Sequence, residues 1–515
     1  MSELSDDVRA EPPVIARRPL LLLFGAGVGG GAWSALMQIV ATPFYLRLLG
    51  IEVYGLIGFY TAMQGLLQVL DMGAGIMVSR EMARLTAANR FEELRDFVRT
   101  LEVLYWLAAI LIGGALVAAA PALARTWFRD AHLDPTQLQR ALMMMALLWA
   151  IQWLTTFYQA ALIGLERFGP LNLLKIIAAT TMHAGGVLWL STISATPFAL
   201  FAFQAAVAAL HLLAGGFALA AHLPRSPHRA KVRPAMIASR WRFAGAVAGI
   251  TIAGTLLAQS DKIIVSGVLP LREFGFYALA ALVANSLFIA VVPLFHVILP
   301  RLSALSAVGD ESGLRDLYRS ATQAITVLAV APACVVAFLG NDLISVWTGE
   351  PDVARKTATV AAVLVVGSAL NALMTPPYAL QLAIGTTRFA FLMATAQLLC
   401  FIPLVTILAN RYGAIGAAAV WPLIHTAYVA IGVPYTYRRL LTTDVTLWLR
   451  DTLPPTLAAI LVAAVLSLIP TAGTSVPVRL LYLVGTATAV LLAAILAAPR
   501  VRMATVSFAR RLVQA

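Results

Sequence analysis

Long apolar runs, separated by short polar breaks, recur along almost the whole of this 515-residue chain. That pattern constrains the fold more than any motif does. A helix needs about 20 apolar residues to cross the hydrocarbon core of a bilayer, and the runs meet that length. Inside that core every backbone polar group must be satisfied within the protein, which leaves only helices and closed barrels. The short alternating strands of a barrel are not seen. Charged residues make up only 12% of the chain, about half the soluble norm. The expected fold class is therefore an all-α polytopic membrane protein.

Fourteen transmembrane helices are expected, over 20–46, 55–79, 101–124, 138–164, 170–192, 197–221, 243–268, 274–299, 320–346, 357–383, 389–409, 414–436, 449–469 and 477–497. The distribution of Lys and Arg tests that count, because cytoplasmic loops carry the excess. With the N-terminus inside, and basic residues near span ends assigned to the adjoining loop, 27 fall on the inner side, Lys175 among them, and nine on the outer, leaving Lys262. Both termini are expected in the cytoplasm. The net charge of +13 marks helix ends, so a nucleic-acid partner is not expected. Cys334 and Cys400 fall inside apolar segments and read as small buried hydrophobes, with no disulfide framework. No small-residue cleavage site follows a short apolar core near the N-terminus, so no removable signal peptide is expected.

The chain resembles itself when position i is laid on position i + 220. Gly25-Ala26-x-x-Gly29 falls on Gly245-Ala246-x-x-Gly249, Tyr54-Gly55 on Phe274-Gly275, and Leu94-Arg95-Asp96-x-x-Arg99 on Leu314-Arg315-Asp316-x-x-Arg319. At i + 221, Ile163-Gly164-x-x-Arg167-Phe168 falls on Ile384-Gly385-x-x-Arg388-Phe389. Spans 1–6 and 7–12 thus read as two copies of one six-helix unit. Six is even, so both copies share an orientation, as in transporters with parallel repeats. The expected organisation is an N-terminal lobe (1–221), a basic, Pro-containing cytoplasmic linker (222–242), a C-terminal lobe (243–440), and two extra C-terminal helices with a tail (441–515).

Polar residues inside a membrane usually face the protein interior or a water-filled path. On span 2, Gln64, Gln68 and Asp71 share one helical face. On span 7, Thr255, Gln259, Lys262 and Ser266 do the same, as do Ser34, Gln38 and Thr42 on span 1. Tyr277, Asn285 and His296 form a weaker stripe on span 8. If these helices line the gap between lobes, their stripes make one polar cavity. Single amides also serve to hydrogen-bond across helix contacts. Lys262 either faces the cavity or snorkels to the outer interface. Asp261, about 100° away around the helix, is expected to pair with another helix. Lys262 and Arg47 together suit anionic oxygens, one as a point charge and the other as a fork. Asp71 is a candidate proton or cation site, or else a partner for a cavity Arg or Lys. His183, His211 and His425 read as packing residues. The inner loops 80–99 and 300–319 read as short amphipathic surface helices. No phosphate loop, HExxH, CxxC or nucleophile elbow occurs, so no enzyme, metal site or cofactor is expected.

Two stretches carry a family resemblance: RLLGIEVYGLIGFYTAMQGLLQVLDMGAGIMVSREMARL (47–85) and SDKIIVSGVLPLREFGFYALAALV (260–283). They resemble the polysaccharide-biosynthesis exporters, the Wzx-type O-antigen flippases, within the superfamily that also holds multidrug/cation antiporters and MurJ-type lipid II flippases. The resemblance covers spans 1–12. It implies two six-helix lobes in a V around a central cationic cavity. It implies as substrate an undecaprenyl-pyrophosphate-linked oligosaccharide, moved by alternating access across the bacterial inner membrane. By that carry-over Lys262 and Arg47 meet the pyrophosphate or acidic sugars, and Asp71, Gln64 and Gln68 serve the sugars or proton or cation coupling. Gln38, Gln259, Thr255 and Asp261 are further cavity candidates. The implied partners are membrane lipids, a polysaccharide polymerase and chain-length proteins, with the monomer as functional unit. The alternatives are a multidrug/cation antiporter, which would need a concentrated acidic site, and a lipid II flippase, whose extra helix pair helps hold the lipid tail. A membrane glycosyltransferase would need a large catalytic loop, and the longest loops here are too short.

Overall fold

The computed structural model describes residues 20–67, 69, 73–128, 130–224, 230–238, 241–471 and 473–514. No strand occurs among them. The first half comprises α1 (Leu20–Leu67), α2 (Ala74–Ala87), α3 (Phe91–Thr126), α4 (Pro135–Gly164), α5 (Phe168–Thr180), α6 (Gly186–Thr192), α7 (Pro197–His222) and the single turn α8 (Ala235–Ala238). The second half comprises α9 (Trp241–Val268), α10 (Leu271–Asn285), α11 (Phe288–Ala307), α12 (Glu311–Thr348), α13 (Pro351–Leu373), α14 (Thr375–Ala383) and α15 (Thr387–Tyr435). Then follow α16 (Thr446–Ser467), α17 (Val476–Leu496) and α18 (Pro499–Gln514).

Among the described residues eleven stretches are long and apolar enough to cross a membrane. Two of them bend back through a glycine: Gly50 (φ 79°) inside α1 and Gly413 (φ 63°) inside α15. A side chain is strained at such φ, so glycine is where the chain can reverse. Counted across these turns, and with α9 and α10 continued by α11, the helices are compatible with fourteen crossings.

Local chemistry sets the helix starts. Asp134 accepts the Gln137 N–H ahead of Pro135, and Thr196 accepts the Ala199 N–H ahead of Pro197. Each cap satisfies one orphan donor of the first turn, and proline at the first position has no N–H to leave unpaired. Asp310 caps α12 through Gly313 N–H at 2.9 Å.

The expected surface helices at 80–99 and 300–319 are not separate elements. Residues 80–87 end α2, and α3 runs unbroken from Phe91; likewise α11 runs to Ala307 and α12 starts at Glu311. The reversals between them use positive φ at Asn89 (53°) and Gly309 (70°), which stand at i and i + 220. The repeated acid of this region is structural. Asp96, 1% exposed, accepts Lys231 N–H (2.7 Å) and pairs with Arg233 (2.9 Å), fastening the linker to α3. Its repeat partner Asp316 holds Arg500, at the start of α18. The reversal after α4 has Glu166 at positive φ and that before α15 has Gly385. These stand at i and i + 219, close to the i + 221 of the sequence match.

The halves meet where α1 packs on α9 and α10. The crossing is made of small residues. A Cβ on Gly55 would lie 2.7 Å from the Leu271 carbonyl oxygen, and one on Gly275 would overlap the Ile51 carbonyl. One helical turn on, Gly58 faces Ala278. Such faces let backbones approach closely in a medium where apolar burial gives no advantage over lipid. Polar contacts gather toward the same end: Arg47 Nε donates to Thr348 O (3.2 Å), Trp127 Nε1 to Ser266 Oγ (3.1 Å) and Trp347 Nε1 to Ile39 O (3.3 Å). α16 and α17 pack on α12, outside the two halves. Cys334 is buried there, whereas Cys400 is exposed, contrary to expectation, on the outward side of α15.

Candidate functional site: two polar cavities

The described residues of the polar stripes line a cavity in each half. The first, about 480 Å³, is lined by α1, α4, α5, α7 and the turn between α5 and α6. The second, about 610 Å³, is lined by α9, α10, α11, α13, α14 and α15. The wall between them is thin at one point. Gly65 lies against Gln259, whose amide nitrogen would sit 2.6 Å from a Cβ there.

In the first cavity Ser34, Gln38, Thr42 and Gln64 stand where their helical spacing places them. Gln152 faces them from α4. It accepts from the Tyr60 hydroxyl (2.8 Å) and from the Gln64 amide. Tyr45, Gln159 and Gln204 add further donors and acceptors. The α5–α6 wall bulges into a π-helical turn at Thr181–Gly185, a distortion common at functional sites. It carries His183, whose Nδ1 lies 3.4 Å from the Tyr45 hydroxyl.

Lys175 also lines this cavity. It sits seven residues into α5, about 10 Å along the helix. Its stem packs on Gly30, where a Cβ would come within 3.0 Å of Lys175 Cβ. Asn172, one turn earlier, accepts the Gly30 N–H (3.2 Å). Close passage of α1 at this glycine is what lets a long side chain reach inward. No Asp or Glu lines this cavity among the described residues, and among them Lys175 has no ion-pair partner. His183 and His211 are its other basic groups.

The second cavity is electrically different. Lys262 and Asp261 both line it, and they pair with each other at 3.0 Å. Lys262 Nζ also donates to Ala258 O (2.7 Å), and the buried Tyr277 hydroxyl donates to Asp261 Oδ2 (2.8 Å). Lys262 is 15% exposed and Asp261 6%. The lysine therefore does not snorkel. It folds back on its own helix to neutralise the adjacent acid, while Tyr277 supplies the contact to a second helix. Thr255, Gln259, Asn285, Ser368, Asn371 and Gln397 surround the pair. The aromatic side of this cavity is Tyr378, Trp421 and Tyr428, with His425 against Trp421 at 4.4 Å between ring centres. Gln397 Nε2 is buried with no hydrogen-bond partner among the described residues, a state that normally calls for one.

Residues 27–306 match the family model described as Polysaccharide biosynthesis protein. The chain belongs to that family. A candidate O-antigen transporter of Shigella flexneri is 22% identical over 406 residues, covering 76% of this chain and 92% of that protein. Among solved structures, the lipid II flippase MurJ in an inward closed conformation superposes with a TM-score of 0.67 at 15% identity, covering 91% of this chain and 98% of that one. An inward-facing multidrug transporter of the MATE family superposes with a TM-score of 0.64 at 11% identity, over 79% of this chain and 94% of that one. This polysaccharide-biosynthesis family member therefore shares their fold.

Not every expected site residue of this family member reaches a cavity. Arg47 is exposed and lines neither; its guanidinium caps the carbonyl end of α12 at Thr348, where a cation is favoured. It does not join Lys262 in an anion site. Gln68 and Asp71 lie outside the described residues. Lys175, counted as a loop charge in the sequence, stands in a cavity, as do His183, His211 and His425. The signal was present: Asn172, Lys175, Ala179 and His183 fall on one helical face, the face of a wall rather than of a loop.

Proposed function

We propose that this protein carries a lipid-linked oligosaccharide across the bacterial inner membrane by alternating access, with both termini in the cytoplasm. The observation that carries this reading is the pair of cavities lined by amides, hydroxyls and aromatic rings, with one cation, Lys175, that has no ion-pair partner among the described residues. Amides and hydroxyls hydrogen-bond sugar, and Trp421, Tyr378 and Tyr428 offer faces for sugar rings. The phosphates of the carrier need a cation, and in our reading Lys175 supplies it. Lys262, neutralised by Asp261, does not. With the basic ends facing the cytoplasm, Lys175 stands about 10 Å in from that side. Lys262, six residues before the end of α9, stands about 9 Å from the other. A head group entering from the cytoplasm meets the free cation first.

The second reading, a multidrug/cation antiporter, rests on the MATE-like fold. A cation site needs a carboxylate left free. Among the described lining residues Asp261 is the one carboxylate, and it is held by Lys262 and Tyr277, which favours the flippase.

The test is genetic and chemical. Cells lacking the protein should accumulate lipid-linked glycan on the inner leaflet, restored by the wild-type gene. Normal surface glycan in those cells, together with a drug-efflux defect, would transfer the assignment to the antiporter.

A further inference from the structure

A second binding site lies away from both cavities, where α18 folds against α11 and α12. An apolar groove of about 510 Å³ runs between these helices, walled by residues such as Leu294, Ile298, Leu317 and Ala504. Arg301 and Arg500 line it too. Next to it lies a polar crevice of about 570 Å³ that shares Ser320 and Arg500 and adds Arg319, Arg450, Asp316 and Asp451. The groove shares no lining residue with either polar cavity.

The charges do not balance. Arg319 is committed to Asp451 through two bonds (2.7 and 3.0 Å), and Arg500 meets Asp316. Arg301 and Arg450 have no ion-pair partner among the described residues. Among the described lining residues four guanidiniums stand against two carboxylates, and Asp444 near Arg450 offsets part of the excess, which leaves a net positive edge beside an apolar slot. That combination fits an amphiphile with an anionic head and a hydrocarbon chain. A soluble anion would have no use for the groove, and a neutral lipid no use for the arginines. All of these residues lie at the end of the bundle that carries Gly309 and the linker, the end placed in the cytoplasm by the distribution of basic residues. Basic pockets at that level meet anionic head groups of the inner leaflet.

We propose that this is a site for an anionic phospholipid, its phosphate on Arg301, Arg450 and Arg500 and one acyl chain in the groove. Such a lipid fastens α18 to α11 and α12, adding to the bond from Arg500 N–H to Gln323 Oε1 (2.9 Å). It is a resident lipid rather than cargo, because the groove stands apart from the transport cavities.

The experiment uses the purified full chain and counts bound lipid by native mass spectrometry. It compares phosphatidylglycerol, phosphatidylcholine and soluble glycerol phosphate, with polyprenyl phosphate as competitor. The wild type should retain phosphatidylglycerol at least tenfold better than phosphatidylcholine and melt at a higher temperature with it. Arg301→Gln and Arg450→Gln should each weaken retention about fivefold. Ala504→Trp, a filled groove on an exposed residue, should reduce retention while leaving the helical circular dichroism unchanged. Equal retention of the two phospholipids, tight binding of glycerol phosphate alone, or displacement of the lipid by equimolar polyprenyl phosphate would each overturn the proposal.

Discussion

Gly55 and Gly275 occupy equivalent positions of the two repeats and lie against each other's helices at the crossing of the halves. The contact is reciprocal: Gly55 faces the Leu271 carbonyl and Gly275 the Ile51 carbonyl, and positions 51 and 271 are themselves repeat equivalents. It makes the crossing dependent on the absence of side chains. Gly55→Val and Gly275→Val should each cost about 1–3 kcal/mol, the range for overpacking a tight contact, and should lower glycan export. Gly114, on α3, has open space where a Cβ would stand and is the control: Gly114→Ala should be neutral or slightly stabilising. Thermal melts of the solubilised proteins check this; no difference between Gly55→Val and the control would show that the helices separate without penalty.

The two cavity lysines should behave differently. Lys175→Gln removes the charge that has no ion-pair partner among the described residues, and export should fall about ten- to a hundredfold, the scale of one charge-assisted hydrogen bond, with an unchanged melting temperature. Lys175→Arg should retain much of it. A flippase assay in vesicles with a pyrophosphate-linked glycan reads the result, and wild-type rates for Lys175→Gln would remove the phosphate assignment.

Lys262→Ala should act through stability. It leaves Asp261 with Tyr277 as its remaining partner among the described residues. Breaking a buried pair by removing one member costs about 3–5 kcal/mol, whereas neutral replacement of both is often tolerated. The double substitution Asp261→Asn with Lys262→Gln should therefore melt above Lys262→Ala alone. A double variant less stable than the single would show that the pair is not the reason for the lysine.

Arg47→Ala should weaken the seal between α1 and α12 and leave substrate binding intact. The lost bond to Thr348 O is worth about 1.5–3 kcal/mol for a charged donor; exposure of the arginine places the effect at the lower end. Cysteine accessibility at that end of the bundle should rise, while glycan affinity measured from the other side stays constant. A fall in affinity with no change in accessibility would return Arg47 to the binding site.

Asp451→Asn should release α16 and α18 from α12. Asp451 is 2% exposed and takes both bonds from Arg319 and one from Gln323 (2.8 Å). The expected loss is about 3 kcal/mol, seen as faster proteolysis within residues 441–515 before any cut in the two halves.

How far a residue could be read from the chain depended on what decides its position. Helix periodicity alone placed Gln38, Gln64, Thr255 and Gln259 on inward faces, because the helical repeat is a local property. The same reasoning misplaced Arg47, whose partner, the Thr348 carbonyl, is remote in the chain. It also misassigned Lys175, since a positive residue near a helix start looks like a topology signal unless the neighbouring helix is known to pass at Gly30. The surface helices expected at 80–99 and 300–319 failed for a related reason. Their amphipathic spacing was real, but it marks the ends of longer helices that turn at Asn89 and Gly309.

Many membrane crossings and the identity of the described polar helical faces could be read without coordinates. Those properties follow from hydrophobicity, charge at helix ends and residue spacing, which are local or additive along the chain. Three further facts needed the packed helices: described residues of the polar faces line a cavity in each half, Lys262 is paired while Lys175 has no ion-pair partner among the described residues, and Arg47 fastens a helix end. Each depends on which side chain lies within hydrogen-bond distance of which. Such distances are set by helices packing against partners from distant parts of the chain.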